Sequence, residues 1–419
     1  MLSLYIHIPF CDQKCGYCSF TVLPIEWKSV VEKLIDPYVD AVCEDVRYQA
    51  KKLWSQQIKT IYFGGGTPTR IGKENLCKII DTIDEVFDLD LLAELTIECN
   101  PFPAERVLDI IKHIQKKYTT FPRIRRSIGI QTFDGDVLKD SSRMYSLPAI
   151  KEFLRNLQPI KQVNTSYNFD FIAFGKRNTT KKWEKILRDQ SRQSFFHDFV
   201  ESWLADGFSL YTLELFPGSD RYNQQIANHS HQKDGLPLKK YGSDDDVYDE
   251  FQWLKSVVHK AWYHRYEISN FSRTIQSSIH NRVYRNMENY LGIWVGAASF
   301  FNAQYQNLSV FDAPDAAAIR FTETKAIADY CKWSYKTIEK PIYMDQQERD
   351  IEKLFLSLRT DRGVENLSSY DHILEKNRQE IINNFQTQGY CIYENDKLLL
   401  TDSGMDIYNT IITDLLAQL

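Results

Sequence analysis

Short β-rich runs alternate with longer stretches in which apolar residues recur at three- and four-residue spacing. "LYIHI" (residues 4–8), "KTIYF" (59–63), "ELTIE" (94–98), "RSIGIQ" (126–131), "NFDFIAF" (168–174) and "FSLYTLEL" (208–215) read as strands. Residues 30–53 and 74–87 read as amphipathic helices between them. Strand-then-helix order repeated over about 215 residues predicts an α/β fold with a parallel sheet and helices outside, open or curled into a barrel. Residues 216–250 read as a polar surface excursion, and its acidic run "GSDDDVYDE" as a solvated helix N-terminus. After about residue 310 the pattern turns helical, with "MDQQERDIEKLFLSLR" the clearest case. The end reads as a hairpin over Glu394, Asn395 and Asp396, then a helix started by Thr401, Asp402 and Ser403, a small winged-helix-like module.

The strand order changes how the rest of the sequence is read, because functional residues of such sheets gather at the C-terminal ends of the strands. Each unusual local sequence follows an expected strand: three cysteines the first, "GGGTPT" the second, "ECNP" the third and "QTF" the fourth.

Length and composition set bounds on the function. The 419 residues are 43% hydrophobic and 26% charged, the balance of a folded protein with one large and one smaller domain. A formal charge of -5 supplies no general basic field for nucleic acid. No apolar run reaches the length of about 18 residues that spans a bilayer, and "MLSLYIHIPF" lacks signal-peptide regions, so a cytoplasmic location is expected. Eight cysteines are too few for a disulfide scaffold. Cys43, Cys77, Cys99, Cys331 and Cys391 are scattered and read as small buried apolar residues.

Cys11, Cys15 and Cys18 are different, because they share one loop beyond a strand. Structural zinc sites and ordinary [4Fe–4S] electron carriers both use four protein ligands. Three thiolates leave one iron of a cluster open for a bound molecule. A cluster, a zinc site and unligated thiols all remain open on spacing alone.

"LYIHIPFCDQKCGYCSF" resembles the signature of radical S-adenosylmethionine (SAM) proteins, and within them the oxygen-independent coproporphyrinogen III oxidase family. The likeness extends through "IYFGGGTPT", "LTIECNP", "RRSIGIQTF", "NFDFIAFG", "YEISNFSR", "HNRVY", "YLGIWVGAASF" and "LFLSLRTDRGV". It implies an incomplete (β/α)6 barrel over residues 1–215, a barrel extension with a tetrapyrrole-site segment over 216–310 and a mainly α C-terminal domain over 311–419. It also implies a [4Fe–4S] cluster on Cys11, Cys15 and Cys18, with SAM on the fourth iron, and an electron donor whose electron splits SAM into methionine and a deoxyadenosyl radical.

By position in the motifs, the resemblance assigns SAM binding to Gly65, Gly66, Thr67, Glu98, Gln131, Arg143 and Asp170, with Tyr5 and Tyr17 flanking. A tight turn at the glycines, a helix cap at Glu98 and a core aromatic at Tyr5 are the structural alternatives. His280 in "HNRVY" is the candidate heme ligand, with Arg285 standing where the family has tryptophan. Ala298 and Gly207 replace two family histidines, and "AFGKRNT" replaces the family segment after the Asp170 strand.

The branch most similar is the heme-chaperone one, HemW, which binds heme and passes it to an acceptor protein. The alternatives are a true porphyrinogen oxidase and a related radical-SAM methyltransferase or heme-modifying enzyme. The oxidases extend the motif with a further cysteine where this chain has Phe20.

Overall fold

The computed structural model describes residues 1–24, 28–53, 57–175, 190–217, 219–220, 222–223, 243–273, 276–303, 316–322 and 341–416. Most of the expected 216–250 excursion, the 176–179 part of "AFGKRNT" and Cys331 lie outside them.

Six strands follow one another with helices between: β1 Leu2–Ile8, β4 Ile58–Gly65, β5 Glu94–Cys99, β6 Ile124–Gln131, β7 Thr165–Ala173 and β8 Gly207–Thr212. The two-residue strands β2 (Phe10–Cys11) and β3 (Leu23–Pro24) pair with each other and close the stem of the cysteine loop. Further along come β9 His264–Glu267, β10 Asn270–Ser272, β11 Tyr290–Ile293, β12 Ala298–Asn302, β13 Ala318–Thr322 and β14 Ile342–Met344. One twelve-stranded sheet results, ordered β14-β13-β12-β11-β1-β4-β5-β6-β7-β8-β10-β9. From β11 to β8 every pairing is parallel, and both flanks are antiparallel. The α/β parallel fold therefore stands as expected. Beyond residue 310, where helices and one terminal hairpin were expected, β13 and β14 add to the same sheet; five- and three-residue strands show too little pattern to be read from sequence.

The parallel strands are buried on both faces, yet their residues alternate in polarity. Leu4, Ile6, Ile61, Phe63, Leu95, Ile97, Ile128 and Phe169 face the helices within one core. Ser3, Tyr5, Thr60, Tyr62, Thr96, Glu98, Ser127 and Asp170 occupy the opposite parity in mutual register. Ordinary parallel strands are apolar on both faces. A polar inner face therefore marks a lumen with functional groups.

The lower lumen is plugged by the helix Ile279–Arg285, which carries "HNRVYR". At seven residues it is too short to stand alone. Fully buried Glu94 accepts bonds from the Ser278 hydroxyl and from the N–H groups of Ile279 and His280, and pairs with Arg123 at 3.3 Å. Negative charge at a helix N-terminus complements its dipole. Glu267 holds the other side, accepting from Asn281 at 3.0 Å and Arg285 at 2.8 Å.

A second core gathers Leu354, Leu358, Leu367, Ile382, Leu398 and Ile411. Its helix Gln346–Leu358 starts at a capping box of Asp345 and Glu348. The hairpin of β15 Cys391–Glu394 and β16 Lys397–Leu400 turns on Asn395 and Asp396, both at positive φ, and Thr401 caps the following helix. This unit docks on the barrel through Asp406, which pairs with Lys255 at 2.6 Å and Arg265 at 2.7 Å. The acidic run likewise forms a cap, since Ser243 and Asp246 make the capping box of the helix Asp244–Lys260.

Removing Glu94 would take the charge partner from Arg123 and the acceptor from four donors, on Thr96, Ser278, Ile279 and His280. Glu94→Ala is expected to cost about 3–5 kcal/mol in chemical denaturation, as for one partner of a buried pair. A loss under about 1 kcal/mol would mean that the plug does not depend on this carboxylate.

Candidate functional site

The cysteine loop sits over the C-terminal end of the barrel, anchored from three directions. At the end of β4, the N–H of Gly66 donates to the Ile8 carbonyl at 2.7 Å and that of Thr67 to the Phe10 carbonyl at 2.8 Å. A Cβ on Gly66 would lie 2.8 Å from the Pro9 carbonyl carbon, and one on Gly65, at φ +108, would lie 2.5 Å from the His7 ring. The glycines are therefore required for close approach of the two strand ends. Asp12, inside the cysteine motif, forms ion pairs at 2.9 Å with both Arg70 and Arg106. Neither the Asp12 clamp nor its arginines stood out in the sequence, although Asp12 lies within the motif.

All three cysteines are free and half-buried. Cys11 Sγ lies 3.7 Å from Thr67 Oγ1, and the Cys18 N–H donates to the Cys15 carbonyl at 3.0 Å. Burial pushes the Cys11 thiol up to about 12 and raises Cys18 as well. Thiols in this state keep their protons until a metal displaces them. Among the described residues no three His, Cys, Asp or Glu side chains converge tightly enough for a single metal ion. Ligands of an iron–sulfur cluster bind separate irons and need no such convergence.

Opposite the loop, Arg143 donates to the Tyr17 hydroxyl at 2.7 Å, and Tyr17 packs edge-on against Phe174. Arg143 Nε is buried without a partner, a donor left over at the barrel mouth. Glu98 accepts from the Tyr62 hydroxyl at 2.7 Å and the Gly65 N–H at 3.2 Å. Desolvation lifts its carboxyl to about 7. It does not cap the helix Ala104–Lys117, whose N-cap is Pro103. Asp170, also raised by desolvation, accepts from Ser127 and from Asn168 at 2.8 Å. Gln131 ends β6 at positive φ. Tyr5 stacks on Tyr62 and bonds to His7 Nδ1 at 3.1 Å, so it is both a lumen wall and a packed aromatic. Carboxylates, a guanidinium with a free Nε, and thiols thus ring one mouth, a set suited to a cluster and the ribose, amino and carboxylate groups of SAM.

His280 lies elsewhere. It is fully buried in the plug, with Nδ1 2.7 Å from Thr60 Oγ1 and Nε2 2.8 Å from the Tyr284 hydroxyl. Both ring nitrogens are engaged inside the plug, away from the three-cysteine mouth. Arg285 is already paired with Glu267. Gly207 has no room for the family's histidine, since a Cβ would meet Asn168 Oδ1 at 2.8 Å and the Phe271 carbonyl at 2.9 Å. Ala298 lines a cavity of about 310 Å³ with Tyr5, Tyr284, Tyr290, Phe300 and Arg320. Sequence reading did not single out Tyr290 or Arg320, because strand-order neighbours far apart in the chain build this wall.

These features define a class: residues 5–189 match the family model of the Radical SAM superfamily, and the chain carries a radical SAM domain. Over its length it is similar to the heme chaperone HemW of Bacillus subtilis, 27% identical with 100% of both chains covered. The HemW of Lactococcus lactis is 25% identical over 98% of this chain and 96% of its own. Among solved structures, the coproporphyrinogen III oxidase HemN of Escherichia coli shares the fold with a TM-score of 0.72, at 19% identity, covering 99% of this chain and 89% of that one. No described helix is long and apolar enough to cross a membrane.

If Glu98 accepts hydrogen bonds from SAM, its ionised form is the stronger acceptor. SAM affinity of the cluster-loaded protein is then expected to rise as pH climbs through about 7. Glu98→Gln should flatten that profile in equilibrium dialysis; an unchanged slope in the variant would remove Glu98 from SAM binding.

Proposed function

We propose that this chain is a HemW-like heme chaperone that binds heme and hands it to an acceptor protein in the cytoplasm, on a radical-SAM core. End-to-end similarity to HemW chains carries this reading, because the three-cysteine mouth is common to chaperones and oxidases. When bound, a [4Fe–4S] cluster would supply an iron open to the amino and carboxylate groups of SAM.

This chain's residues define what surrounds those groups. Cys11, Cys15 and Cys18 supply three thiolates, and the Asp12 clamp and glycine contacts hold their loop in place. Arg143 offers its free Nε to a carboxylate, while Glu98 and Asp170 accept from hydroxyl or amino groups. Gly65, Gly66 and Thr67 wall the amino-acid end, with their N–H groups turned to Glu98 and to the cysteine-loop stem. Gln131, Tyr5 and Tyr17 complete the wall, and the packed barrel excludes water from it.

The oxidase alternative rests on the shared fold. Phe20 stands where the oxidase motif has its further cysteine. Anaerobic reconstitution followed by parallel heme titration and coproporphyrinogen assay separates the two. Stoichiometric heme uptake without porphyrinogen oxidation is expected; turnover with release of deoxyadenosine would contradict the chaperone reading.

A further inference from the structure

Three parts of the cysteine mouth meet at one buried ring, the imidazole of His7. Its Nε2 lies 3.1 Å from the Thr21 carbonyl, just before β3 closes the stem of the cysteine loop. Its Nδ1 lies 3.1 Å from the Tyr5 hydroxyl. Gly65 covers the ring so closely that a Cβ there would meet Cε1 at 2.5 Å and Nε2 at 2.8 Å, and the Gly65 N–H is given to Glu98. The partners fix the polarity of these bonds. A carbonyl only accepts, so Nε2 carries the proton. Burial lowers the pKa of His7 and keeps the ring neutral, so Nδ1 is bare and accepts from the Tyr5 O–H.

Trp294, at the end of β11, presses on this ring. Its indole is fully buried and stacks on the imidazole with 5.5 Å between centroids and 11° between planes. The residue stands at φ +98, where any side chain is strained. Such strain persists only where the surroundings over-determine it, and it gathers at functional sites. Tyr38 packs edge-on against the indole at 4.8 Å and donates its hydroxyl to the His7 carbonyl. The turn that follows Trp294 also borders the loop end, since a Cβ on Gly296 would come 3.8 Å from Thr21 Oγ1.

We propose that His7, held flat by Trp294, is a positioning residue of the SAM site: its Nε2–H fixes the return of the cysteine loop against Gly65 and Tyr5. This rests on the reading of the mouth as the SAM site. Asp12 ties the loop near its start and His7 ties it near its end, so Cys15 and Cys18 lie between two tethers. Without the second tether, the half of the loop that carries Tyr17 and Cys18 is free to shift against the glycines. Outer partners that orient a ligand set in this way commonly carry 10–100-fold in its affinity. The strain at Trp294 then has a use, because only an indole placed there lies flat on the imidazole.

The full-length protein, reconstituted anaerobically, tests this by SAM affinity in equilibrium dialysis and by electron paramagnetic resonance of the reduced cluster with and without SAM. His7→Phe keeps a flat ring under Trp294 and removes both bonds. It should load iron as wild type does, bind SAM about 10-fold or more weakly, and lose most of the SAM-induced spectral change. His7→Gln sets an amide N–H near the place of Nε2 and should recover most of the affinity, a rescue that lost packing alone does not give. Wild-type SAM affinity in His7→Phe, or equal losses in both variants, overturns the assignment. Heteronuclear NMR of histidine-labelled wild type needs no variant: the His7 ring should show a protonated Nε2 and a bare Nδ1 at neutral pH. The opposite tautomer or a cationic ring overturns the assignment as well. No SAM binding by cluster-loaded wild type overturns the SAM reading of the mouth, and this inference with it.

Discussion

A barrel with a polar inner face must satisfy every inward donor and acceptor, and that constraint divides the lumen in two. In the lower half the strands supply Ser3, Thr60, Glu94 and Arg123, and a seven-residue helix is drawn in to partner them. In the upper half the same accounting leaves an unpaired Arg143 Nε and two carboxyls, Glu98 and Asp170, pushed up by desolvation. Buried polar groups without full partners are costly unless a ligand completes them. The plug helix thus partners the Glu94 carboxylate of the floor, whereas Glu98 and Asp170 at the mouth are left with carboxyls raised by desolvation.

The mouth depends on backbone contact rather than on side-chain reach. Gly66 lets β4 dock on the stem of the cysteine loop, and Asp12 ties that loop to two further strand–helix units through Arg70 and Arg106. Cysteines on a loop held this way keep their relative positions before any metal arrives, which limits the ordering cost of binding.

Much of this was legible in the sequence. All six first strands were read from local pattern, as were the turn at Asn395–Asp396, the cap at Thr401 and the helix start at the acidic run, because these are set by residues a few positions apart. The cysteines and the glycine run stood out because each follows a strand, and the other candidate residues of the mouth came from the family resemblance. The tertiary partners were not legible: Glu94 lies 186 positions from the His280 N–H it accepts, and Tyr62 lies 36 from Glu98. The surroundings of His280 were hidden for the same reason: Thr60, which bonds its Nδ1, lies 220 positions away.

The proposed function has SAM at the C-terminal mouth, beside Glu98 and Asp170, and heme at a separate site. Heme affinity of the cluster-loaded protein, measured with and without saturating SAM, tests that arrangement most directly. Both ligands should bind together, with heme affinity changed less than about tenfold, or 1.4 kcal/mol. Mutual displacement at one-to-one stoichiometry would contradict the two-site account.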